Sequence, residues 1–244
     1  KRKNFRLRNT ISKMLFKSKA ILSWSASCKQ KSVYFDIMKN PQIFSIVLSL
    51  IVSFSSHAQT TTLDFTIGAA FFDIGTYSVS KKIEGDSTFY DAVSDVSLSY
   101  LFSKYQVQFT SKSKFYKDTL MTCHVDVFVN AELRESNHTQ YINSNYQIHR
   151  VDEEKNVRDE LLNTPAIFIT SSMLFFIEPE DPIRYSQNYA ELYGIFNKME
   201  KSGKNQYDIT NKTTGRKTTY NYKKGLVVSS KVDYPIMTFG LKRN

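Results

Sequence analysis

The chain has 244 residues, its Lys and Arg outnumber Asp and Glu by 33 to 23, and its pI is near 9.4. That excess is confined to the start: residues 1–58 hold eleven Lys or Arg and one Asp, which leaves twenty-two basic against twenty-two acidic residues in 59–244. A near-neutral body with interspersed charges offers no basic stripe to neutralise phosphates, so a nucleic-acid partner is set aside; with Cys123 alone after Cys28, so is an intramolecular disulfide in 59–244.

Residues 1–37 are basic, Ser-rich and without sustained periodicity, and read as an upstream, non-native reading frame. Met38 opens the pattern of a secretory signal spanning 38–58. Lys39 is followed by the apolar run 43–54, and Ser56-His57-Ala58 places small residues for cleavage before Gln59. The run is shorter than the roughly 20 residues a membrane helix needs, and no Cys follows it to carry a lipid anchor. Residues 59–244 are therefore expected as a single exported domain, periplasmic or extracellular, and not integral to a membrane after cleavage.

From Gln59 onward the texture is that of a β protein. Fourteen of the fifteen Tyr lie there, beside many Phe, Val, Ile and Thr, which suit pleated, half-buried surfaces. Residues 62–67, 74–83, 89–102 and 105–109 alternate apolar with polar, and so do 120–129, 133–142, 146–151, 206–210, 217–222, 226–232 and 236–241. Turn residues separate them at Glu84-Gly85-Asp86, Lys117-Asp118, Asn130-Ala131, 143–145, Thr214-Gly215 and Lys224-Gly225. Ten or eleven sequential antiparallel strands follow. The charged stretch 152–162 reads as an exposed connector, and 185–199 fits strand and helix alike.

Residues 164–182, TPAIFITSSMLFFIEPEDP, form the longest apolar run outside the leader and the one flanked by prolines. Ile169, Met173 and Phe176 or Ile177 recur at helical spacing, Phe168 and Phe175 make a second stripe, and Thr164-Pro165 suits an N-cap and first turn. A helix of about 14 residues, roughly 21 Å long, apolar on nearly every side, must be enclosed by protein. Two short buried strands joined at Ser171-Ser172 are the alternative. A long meander must curl or close. The expected fold is all-β and mainly antiparallel, a curved sheet forming a half-open β-barrel around one buried apolar helix, with a closed barrel as runner-up.

Catalytic signals are sparse. His124, His138 and His149 stand at irregular spacing without an HExxH motif or Cys cluster, so no metal site is assigned, and no cofactor. Ser171-Ser172 with Glu178 lacks a nucleophile elbow. Cys123 lies in a strand-like run where its neighbour His124 points to the opposite face. An outer-membrane barrel is disfavoured, because Lys and Asp enter both faces of the strand runs. What remains is a groove lined by aromatic side chains, with Phe168, Ser172, Met173, Phe175 and Phe176 as the ligand-contacting residues.

DFTIG at 64–68, FFDIGTYSVSKK at 71–82, Tyr105-Gln106-Val107 and SSMLFFIEP at 171–179 together resemble an exported Bacteroidetes family of unknown function, over most of 62–241. The architecture is more remotely similar to periplasmic half-barrels of the lipoprotein-carrier type, which wrap a curved sheet around helices and hold acyl chains. The resemblance implies an envelope protein and carries no catalytic residues across. The reading is an exported cell-envelope protein that binds a lipid or other apolar ligand without catalysis. A structural or interaction protein with a filled core is the alternative, and an unrecognised hydrolase the second.

Overall fold

The computed structural model describes residues 58–69, 72–100, 103–181, 184–233 and 238–244. The upstream segment 1–37 and the signal peptide 38–58 lie outside the described residues, Ala58 excepted. Fourteen strands follow in order: β1 (Gln59–Ala69), β2 (Phe72–Glu84), β3 (Ser87–Tyr100), β4 (Ser103–Tyr116), β5 (Thr119–Val129), β6 (Glu132–Ile142), β7 (Asn145–Val151), β8 (Val157–Leu162), β9 (Gln187–Ala190), β10 (Ile195–Gly203), β11 (Gln206–Thr210), β12 (Lys217–Lys223), β13 (Leu226–Asp233) and β14 (Thr238–Arg243). They make one antiparallel sheet in which β1 pairs with β14, so the meanders β1–β8 and β9–β14 meet in the middle and β8 and β9 are the two edges.

Local chemistry explains the hairpins. Both residues of Lys117-Asp118, Asn130-Ala131, Asn143-Ser144 and Lys224-Gly225 have positive φ, the two-residue turn whose twist matches that of the strands it joins. Alternation then fixes one inner face. Leu63, Val79, Ala92, Ser111, Val125 and Asn137 stand directly opposite one another across β1 to β6, each at most 8% exposed.

The expected helix over 164–182 is not formed. Residues 166–169 carry no regular secondary structure, Thr170 makes a parallel bridge to Tyr189, and one 3-10 turn, Met173–Phe175, completes the segment. A helix satisfies its own backbone, whereas this segment is satisfied by the sheet around it. Leu120 N donates to Ile167 O at 2.9 Å, Ile167 N to the Tyr146 hydroxyl at 2.9 Å, Tyr189 N to Ile169 O at 2.9 Å, and the Tyr222 hydroxyl to Leu174 O at 3.0 Å. With those partners supplied, β-branched Ile167, Ile169 and Thr170, which disfavour the helix, need no helical bonds. The segment still plugs the inner face: Ile167 and Leu174 are fully buried, and the Phe175 ring packs edge-on to Phe65 and Tyr220.

Two further expectations change. Residues 152–162 are not wholly a connector, since 157–162 pair with β7 as an edge strand whose Asp159 and Glu160 face water. The ambiguous stretch 185–199 resolves into β9 and the start of β10. The sheet is not closed: among the described residues no backbone ladder joins β8 to β9. Side chains span the seam instead. Arg158 Nη2 donates to Tyr193 O at 2.8 Å, and Asn137 Nδ2 to Glu191 O at 2.5 Å. Gly194 makes the approach feasible, because its φ is +65° and a Cβ there would lie 2.9 Å from the Ile148 side chain.

Candidate functional site

The plug fills one end of the inner face and leaves the other open. Towards the ends of β3 and β13, the inward-facing Val96, Leu98, Val107 and Val232 are only half-buried, although Ala92 and Tyr90 on the same face of β3 are buried. With Ile67 and Leu241 they line an apolar cavity of about 430 Å³. A second cavity of about 270 Å³ adjoins it, with Val232 as a shared wall and with Phe109, in its lining, paired to Ser94 of the first. Its lining is more polar and includes Ser171, Glu191, Asn197, Arg216 and Tyr220.

Glu191 is the chemical centre of that second space. It follows β9 in the turn to β10 and is 4% exposed. Its carboxyl accepts from the Ser172 hydroxyl, from Ser172 N at 3.3 Å and from Ser113 Oγ at 3.3 Å. Burial pushes its pKa up, and the hydrogen bonds from Ser172, Thr170 and Ser113 pull part of the way back. The groups that hold it are hydroxyls and one backbone amide. Nearby, Asn197 is 6% exposed and its Oδ1 has no hydrogen-bond partner among the described residues, which leaves an acceptor on the cavity wall.

The five residues chosen from the sequence take other positions. Met173 and Phe175 are core, Phe176 stands 5.9 Å from the Tyr90 ring, and Phe168 is 41% exposed with the Arg184 guanidinium 5.6 Å from its ring centre. Ser172 is the one of the five joined to the second cavity, through its bonds to Glu191. None of the five lines either cavity.

Ser172 has Glu191 and Thr170 as partners and no imidazole, and His124, His138 and His149 are exposed on the other face of the sheet. Cys123 is fully buried, and burial with the nearby Glu191 pushes its thiol pKa up, so it stays protonated at neutral pH. Glu191 and Asn197 were missed in sequence reading. The available signal was a carboxylate set among apolar and aromatic neighbours in NYAELYG.

The pattern of one family, "Domain of unknown function (DUF6134)", matches residues 72–244. Among solved structures, a β-barrel-like protein of domain of unknown function DUF1849 from Brucella abortus is similar at 9% identity, covering 77% of this chain and 95% of that one with a TM-score of 0.46. No curated protein matches the chain.

Proposed function

This chain belongs to the family described as Domain of unknown function (DUF6134), and we propose that it is a non-catalytic binding protein for a lipid or other apolar ligand. One observation carries the reading: the inner face is packed by the plug at one end, while at the other its apolar side chains are half-exposed around about 430 Å³. Filled cores do not leave a contiguous inward row of Val and Leu half-wet. The adjoining polar space suits the polar end of such a ligand, with Glu191 as a buried carboxyl and Asn197 Oδ1 as acceptor. In this reading Phe168, Ser172, Met173, Phe175 and Phe176 do not touch the ligand, and Ser172 alone of them bears on it, by holding Glu191.

The leader-like residues 38–58 support export, and the resemblance to exported Bacteroidetes proteins supports a cell-envelope setting. A structural or interaction role is favoured by a different observation, the complete burial of the plug residues Ile167 and Leu174. Titration with a fluorescent fatty acid separates the two. Val96→Trp, which fills the apolar cavity from a half-buried position, is expected to weaken probe binding roughly tenfold or more with the fold intact. Equal affinity in the parent and the Trp variant would overturn the binding reading at this site.

A further inference from the structure

His124, His138 and His149 are 14 and 11 residues apart in the sequence, but the register sets them directly opposite one another on β5, β6 and β7. Asp159 of β8 stands opposite His149 and ends the row. Alternation sends their neighbours Cys123, Val125, Asn137, Thr139 and Ile148 into the core and leaves all three imidazoles exposed on the outer face. Residues directly opposite in an antiparallel pair have Cα atoms about 4.5–5.5 Å apart. Two imidazoles at that separation can share one ion at metal–nitrogen distances of about 2.0–2.1 Å.

The outer two rings are each fixed by a carboxylate, His149 Nδ1 with Asp159 Oδ1 at 2.7 Å and His124 Nε2 with Asp126 Oδ2 at 2.9 Å. A carboxylate on one ring nitrogen sets the tautomer and the orientation of the ring, as it does for histidines that bind metals. His149 Nε2 is thereby left for a ligand. His138 between them has a ring contact with His124, centroids 5.7 Å apart, and no hydrogen-bond partner among the described residues. Charge chooses between its two sides. Lys112 stands opposite His124, whereas Asp159 and Glu160 border the cleft beside His138 and His149. As the side chains stand, no three metal-capable groups among the described residues converge on one point, which limits the protein's share to two imidazoles, with water completing the shell.

We propose that His138 and His149 chelate one borderline divalent transition-metal ion, of the zinc, nickel or copper(II) class, with Asp159 as the positioning residue for His149. Hard ions such as magnesium are refused, because the donors are nitrogen rather than oxygen. Calorimetric titration of the full chain with zinc chloride at near-neutral pH, with magnesium chloride as control, tests this. The expected result is one zinc per chain, bound at least about tenfold more weakly in His138→Ala and in His149→Ala. Asp159→Asn is expected to weaken it severalfold, His124→Ala to leave it nearly unchanged, and magnesium to give no binding. Because the side chains are exposed, metal-free melting temperatures should match the parent's, and His138→Gln provides a second variant should Ala disturb the strand. Absence of zinc binding in the parent, or binding unchanged in the His138→Ala/His149→Ala double variant, would overturn the proposal.

Discussion

Glu191 shows how a single side chain records the whole fold. Its carboxyl is bonded by Ser172, 19 residues away, and Ser113, 78 away, while its carbonyl is held by Asn137, 54 away. None of those partners is local, so no spacing in the sequence could announce the site, and the histidine row was hidden for the same reason. The buried carboxyl has a pH consequence with a definite sign. The unfolded chain loses that proton near the ordinary carboxylate value of 4.5, whereas the folded chain keeps it to higher pH. Between the two values the folded state binds more protons, so stability falls as pH rises. Glu191→Gln removes this titration. Urea midpoints measured from about pH 4 to about pH 8 should show the parent losing stability relative to the Gln variant as pH rises through and above 4.5, levelling off once the folded carboxyl ionises. A difference independent of pH would contradict the assignment.

At the scale of elements, hairpins and plug were not equally legible. Lys117-Asp118, Asn130-Ala131 and Lys224-Gly225 are turns because their residues tolerate positive φ, and alternation carries the strands between them; both signals are local. The plug's conformation depends on what surrounds it. Its run of Ile, Phe, Met and Leu told correctly that the segment is enclosed, but backbone amides of β5 and β9 and the Tyr146 and Tyr222 hydroxyls of β7 and β12 replaced the helical bonds. The charged stretch before it hid β8, because an edge strand with water on one face needs few apolar residues. Tyr146 is the joint that anchors the start of the plug: its hydroxyl accepts from Ile167 N and donates to Leu120 O at 2.9 Å. Tyr146→Phe leaves both backbone groups short of a partner, at an expected cost of about 2–3 kcal/mol in chemical denaturation. A loss below about 0.5 kcal/mol would mean that the plug is not anchored there.

For the molecule as a whole, one asymmetry organises the account. The sheet's inner face carries a packed plug at one end, with Leu174 and Phe175 buried, and a half-wet apolar row at the other. Its edges meet through Arg158 of β8 and the turn after β9 rather than through a ladder; the smaller, more polar cavity at Glu191 borders that turn, while the apolar space lies at the middle of the sheet between β3, β4, β13 and β14. That the sheet would curl around the plug was foreseeable from its length and apolar face; that the space would lie beyond the plug rather than at it was not, because cavity position is set by register between strands far apart in sequence. Native mass spectrometry of the protein as purified from expressing cells, before and after organic extraction, tests the claim most directly. The account predicts an extractable adduct of lipid size on the parent and its loss in Leu98→Asp, which places a charge in the apolar cavity from a half-buried position. A bare parent mass under gentle conditions, or an adduct retained by Leu98→Asp, would contradict it.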